Sequence, residues 1–99
     1  MHHRPMTSAV EREVVFDRAD AAIDALEKDW PTLSYLPSFR KQVAYLRAVE
    51  RGEEQDRSRL SEINIGVITA KDIEDRNPSV AETLHELADV ARRMAAEQS

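Results

Sequence analysis

Val80, Leu84, Leu87, Ala91 and Met94 recur at i, i+4, i+7, i+11 and i+14. That spacing keeps one side of a helix apolar. Asn77 stands before the run as an N-cap and Pro78 as its first residue, positions that suit both residue types. Arg92 and Arg93 fall near the C-terminal end, where the helix dipole favours cations. A helix with one apolar stripe must bury it against other elements, so the rest of the chain has to supply them.

It does so with three more helical segments. Ser8-Ala9-Val10-Glu11 fits a capping box. Val15, Ala19, Ala22, Ile23 and Leu26 follow at helical spacing, and Pro31 stops the helix near Asp29. Trp30 is expected to pack over the core. The linker PTLSYLP is apolar for a loop, so Leu33, Tyr35 and Leu36 should be packed. A second helix starts around Pro37, turns Phe39, Val43 and Leu46 inward with Leu36 and Val49 at the edges, and ends at Gly52. In SEINIGVITAKDIEDRNP, Ser61–Pro78, strand-forming residues invite a β reading, but alternation fails at Val67-Ile68 and no partner strand is evident. Leu60, Ile63, Val67 and Ala70 fit a helix instead, predicted over Ser58 to Glu74 and expected to be the most buried. Gly66 costs about 1 kcal/mol there against alanine, which close approach of another helix or a partner would offset.

These elements predict an all-α fold, a small antiparallel four-helix bundle, in one domain over residues 1–99 with a loose tail over 1–7. Composition agrees: 41% of residues are hydrophobic, only 5% aromatic, with two Gly and four Pro in 99 residues. There is no cysteine, hence no disulfide and no thiolate metal site. No apolar run opens the chain, so a secretory leader is not expected. No stretch is long and apolar enough to suggest a membrane span.

Net charge is −5, against a nucleic-acid binder. Residues 31–51 carry net +3, with Arg40, Arg47 and Arg51 on one stripe; residues 1–30 carry −3, 52–76 carry −3 and 77–99 carry −2. The simplest account is charge balance between neighbouring helices. A helix-turn-helix DNA reader drawn over 37–74 would set Asp72, Glu74 and Asp75 against phosphates, which repels.

Catalytic constellations are missing. Glu82-Thr83-Leu84-His85 has the Glu-x-x-His spacing of carboxylate-bridged di-iron bundles, which need it twice; His85 reads as a surface histidine, and His2 and His3 lie in the tail. Two glycines cannot build a phosphate loop. The residues thus favour a protein-binding module over an enzyme, with no cofactor and no metal. Two acidic clusters, Glu53-Glu54-Gln55-Asp56 and Asp72-Ile73-Glu74-Asp75, could steer a basic partner.

Three stretches carry a resemblance: Lys41-Gln42-Val43-Ala44-Tyr45-Leu46, Asp56-Arg57-Ser58-Arg59-Leu60, and Ile65-Gly66-Val67-Ile68-Thr69-Ala70-Lys71-Asp72, followed by Asn77-Pro78 and an amphipathic helix. Together, over about residues 39–90, they are similar to the small helical immunity proteins of type VI secretion. Those proteins protect bacteria from NAD(P)-hydrolysing toxins. The resemblance implies an all-α, non-enzymatic protein that binds the catalytic domain of a cognate toxin and blocks its NAD(P) cleft; the absence of cysteine fits a reducing bacterial cytoplasm. Such a cleft should be electropositive, so the expected toxin contacts are Lys71, Asp72, Glu74 and Asp75, with Glu53, Glu54 and Asp56. A homo-oligomer when free is a further expectation. The alternative is another helical interaction module, such as a toxin chaperone or an oligomeric regulator.

Overall fold

A computed structural model describes residues 9–97 of the chain. The capping box at Ser8, the tail over 1–7 and the two leading histidines fall outside the described residues. Helix α1 spans Ala9–Asp29 and α2 spans Leu36–Glu50. A 3-10 turn follows at Ser58–Glu62. A helical run over residues 65–76, here α3, joins an α-turn Ile65–Ile68, a π-turn Thr69–Ile73 and a last α-turn Glu74–Arg76. Helix α4 spans Pro78–Glu97.

Side-chain pairs fix the directions. Arg40 meets Asp24 and Glu27, Arg47 meets Asp17 and Asp20, and Arg51 meets Glu13, so α2 runs antiparallel to α1. Arg12 reaches Glu97 and Arg18 reaches Glu86, so α4 is also antiparallel to α1. Tyr45 bonds the Asp56 carbonyl, Gln42 bonds Asn64 and Tyr35 bonds Asp72, so the chain from 56 to 72 runs back along α2. The result is an up-down-up-down four-helix arrangement, without a strand among the described residues.

The apolar stripes read from the sequence form the core. Val15, Ala19, Ala22, Ile23 and Leu26 are buried in α1, Leu36, Phe39, Val43, Leu46 and Val49 in α2, and Val80, Leu84, Leu87, Ala91 and Met94 in α4. Phe16 joins them, fully buried, under the guanidinium of Arg47 5.7 Å from its ring centre. Leu33, Tyr35 and Trp30 pack partly buried against this core, as the apolar linker predicts. Gly52 adopts φ +78 directly after α2, the left-handed conformation of a helix stop, and its N–H donates to the Val49 carbonyl at 3.1 Å. The Asn77 side chain accepts from the Val80 N–H at 3.1 Å, the bond of an N-cap.

The third segment departs from expectation. It is not one helix from Ser58 to Glu74: the backbone turns extended at Ile63 and restarts after Asn64. Gln42 holds that break through both ends of its amide. Its Nε2 donates to Asn64 Oδ1 at 2.8 Å, and its Oε1 accepts from the Asn64 N–H at 3.1 Å. Beyond the break the buried residues are Ile65, Thr69 and Ile73, while Val67 is 58% exposed and Ala70 is exposed. Of the four residues expected to face inward, only Leu60 is buried, with Ile63 halfway. Thr69 is tolerated inside because its Oγ1 donates to the Ile65 carbonyl at 2.6 Å, a back-bond that disturbs the α ladder. The Glu74 N–H then reaches Thr69 O, five residues back, which defines the π-turn. The central place belongs to α4, which packs on α1, on the 3-10 turn and along the whole of α3, whereas α2 packs chiefly on α1.

Candidate interaction surface

Most charges of the molecule are spent on each other. Arg47 stands among Glu13, Asp17 and Asp20 from α1, and Arg40 and Arg51 repeat the pattern above and below it. This is the interhelical charge balance that the segment charges predict. Arg51 draws the Glu13 carboxyl below its ordinary value. Arg12, 6% exposed, bridges Glu50 at 2.9 Å and pairs with Glu97, joining the start of α1 to the ends of α2 and α4.

The two acidic clusters sit at opposite ends of α2. Glu53 and Glu54 follow Gly52 directly, and both donate their backbone N–H to the Ala48 carbonyl. Asp72 is bonded instead by Tyr35, just before α2 begins. Fifteen helical residues, or about 22 Å, lie between. The structure therefore groups Lys71, Asp72, Glu74 and Asp75 on one patch, and sets Glu53, Glu54 and Asp56 on another.

Within the second patch the acids have local work. The Glu54 carboxylate accepts from the Asp56 N–H at 2.9 Å. Asp56 accepts from the Ser58 hydroxyl at 2.6 Å and its N–H at 2.9 Å at the entry to the 3-10 turn, and these two bonds lower the Asp56 carboxyl. In the first patch Asp72 accepts from the Tyr35 hydroxyl and from Arg76 Nε at 3.2 Å; the Tyr35 bond, then Arg76, holds it below its ordinary value. Arg76 lies over Trp30, 5.5 Å from the ring centre. Glu74 meets His85 Nε2 at 2.6 Å. Lys71 and Asp75 are exposed and form no side-chain hydrogen bond or ion pair among the described residues.

The quoted motif residues divide in the same way. Gln42, Tyr45, Asp56, Ser58 and Leu60 brace the connection between α2 and α3, and Arg57 donates to the Met94 carbonyl at 3.2 Å. Gly66 faces α4, where a Cβ would lie 2.9 Å from the Cβ of Ala88. This is the close helix approach its position suggests. Ala70 and Lys71 have no such task; both face solvent. Sequence reasoning missed Tyr35, Arg76 and Trp30 as the frame of the first patch, although the order Tyr-Leu-Pro before a helix hinted at a packed hinge.

For catalysis the surface offers nothing assembled. Among the described residues no three His, Asp or Glu side chains are grouped to hold a metal. The Glu82-x-x-His85 pair is broken up by His85 bonding Glu74. No described helix is long and apolar enough to cross a membrane.

The sequence model of the Tsi6 family matches residues 12–93, from the buried Arg12 to Arg93 in the last turns of α4. The chain belongs to the Tsi6 family. It is thus a type VI secretion immunity protein, non-catalytic, that neutralises a cognate toxin by binding it. No curated protein and no solved structure matches the chain. The Tsi6 match covers all four helices, so the braced connection and the open patch at residues 71–75 both lie within the family's common region.

Proposed function

We propose that the protein acts in the bacterial cytoplasm by occupying the NAD(P)-binding cleft of a toxin domain that hydrolyses NAD(P). The outer face of α3, with Lys71, Glu74 and Asp75 at its centre, is the part that enters. The supporting observation is a contrast. The arginines of α2 are matched by acids of α1, while Asp75 and Lys71 project from α3 with no partner among the described residues. A cleft built for a pyrophosphate is electropositive, and carboxylates offered there neutralise it without being substrates. Asp72 supports this face from behind, held by Tyr35 and Arg76. Glu53, Glu54 and Asp56, at the far end of α2, are the outlying contacts of a wide interface.

The test is NAD(P) hydrolysis by the toxin domain encoded beside this gene, titrated with the protein. Loss of activity at an equimolar amount is expected. Full activity at large excess overturns the reading. Reversing charge at Lys71 and Asp75 locates the contact cleanly, because neither side chain supports the fold. Reversal at Asp72 would also release Tyr35 and Arg76.

A further inference from the structure

Between the α3 segment and α4 the surface sinks into a groove of about 710 Å³. Gly66, Val67 and Ala70 form one wall, and Ala88, Ala91 and Ala95 the other. Its origin is the choice of small side chains. Gly66 lets the two elements close to contact at Ala88, and the alanines on either side are too short to fill what remains. Val67 stands on the rim, an exposed large apolar side chain next to an apolar floor.

Charge stands at the groove's edges. Midway along its α4 side Asp89 and Arg92 pair with each other and cancel. At one end the groove passes His85 into a shallower depression lined by Glu74, Pro78, Ala81 and Glu82. Glu82 is exposed and has no side-chain partner among the described residues, and Glu74 meets only His85. The surface is thus apolar in the middle and acidic at one end.

We propose that this groove is the anchor site for the toxin: it seats an apolar side chain of the toxin's catalytic domain, beside a lysine or arginine that meets Glu74 and Glu82. The proposal rests on the immunity reading above and names where and how the toxin is held. Charge selects the occupant. A second copy of this chain also carries net −5, a like-charge balance that opposes self-docking. A basic partner, such as the flank of a cleft that binds pyrophosphate, completes it. The groove adjoins the outer face of α3, since Ala70 and Glu74 belong to both. An apolar anchor in a pocket with charges at its edge is the usual division between binding strength and encounter rate.

The experiment measures affinity for the catalytic domain of the toxin encoded beside this gene, by calorimetry, for four variants. Ala70→Trp fills the groove, Val67→Asp charges its rim, Glu82→Lys inverts its acidic end, and Ala44→Trp places an equal bulk on the exposed side of α2. Thermal melts establish that each variant is folded. The first two should weaken binding about tenfold or more. Glu82→Lys should slow association and flatten its salt dependence, and Ala44→Trp should change nothing. Tight binding by wild type and by all three groove variants alike would overturn the anchor site and leave the immunity reading standing. Failure of wild type to bind would overturn both. If wild type self-associates, and Ala70→Trp abolishes that without altering toxin affinity, the groove belongs to a second copy and the proposal is wrong.

Discussion

A Cβ placed on Gly66 would lie 2.9 Å from the Cβ of Ala88, closer than two such carbons pack. This single contact sets how near α3 comes to α4. Alanine at position 66 would gain about 1 kcal/mol of helix propensity, yet it would force the two elements apart. Overpacking of this kind costs about 1–3 kcal/mol. Gly66→Ala should therefore lower Tm by several degrees instead of raising it, and Gly66→Ala combined with Ala88→Gly should recover most of the loss. A Gly66→Ala variant more stable than wild type would show that the spacing is soft.

The Arg12 guanidinium is buried between Glu50 and Glu97, whose chain positions lie 38 and 85 residues away. Removing it leaves Glu50, itself mostly buried, without its cation. Arg12→Met should destabilise by about 3 kcal/mol, the scale for breaking a buried pair. Arg40→Ala, at an exposed pair, should cost about 1 kcal/mol or less. Adding Glu50→Leu to Arg12→Met should restore stability, because an apolar pair replaces an ionic one at little cost. Urea midpoints of the three variants check this order.

Tyr35 and Asp72 give the fold a pH dependence at both extremes. Burial first, and the bond to Asp72 second, push the Tyr35 phenol from 10.0 up to about 12. A raised pKa means that the neutral phenol stabilises the fold fully below pH 10 and that this contribution is lost as pH climbs through about 12. Asp72 has the opposite sign. Its carboxyl is held below the ordinary 3.8, so its contribution is present above that pH and disappears as pH falls through the lowered value. Phenolate absorbance should show a tyrosine ionising late, which Tyr35→Phe removes and Asp72→Asn moves earlier. A titration unaffected by Asp72→Asn would sever the link.

Three of the four helices could be read directly, because each carries a single apolar stripe that the tertiary structure then uses. Asn77-Pro78 and Gly52 marked their ends for local steric reasons, and the structure uses both. The third segment could not be read in this way. Apolar residues occur all round it, so Leu60-Ile63-Val67-Ala70 and Ile65-Thr69-Ile73 compete as inner faces. The second wins because Thr69 satisfies its hydroxyl within the helix and because Gln42 breaks the chain at Asn64, neither of which a spacing rule detects. Arg12 was invisible for a related reason: its burial depends on two acids far along the sequence. The acidic patch at 71–75 was legible as composition. The groove beside it was not, since an alanine lining a depression and an alanine filling a core look the same in sequence.

The π-turn at Thr69–Ile73 makes α3 adjustable in length. Ile65, Thr69 and Ile73 are spaced by four. With one residue fewer between Thr69 and Ile73 the spacing would be three, and a helix places both spacings on the same side. The inner contacts would survive such a deletion, while the residues between, Ala70 to Asp72, would be re-dealt around the axis. Loss of a single codon at this turn therefore rewrites what the outer face presents and leaves the interior undisturbed, a larger step than any one substitution allows.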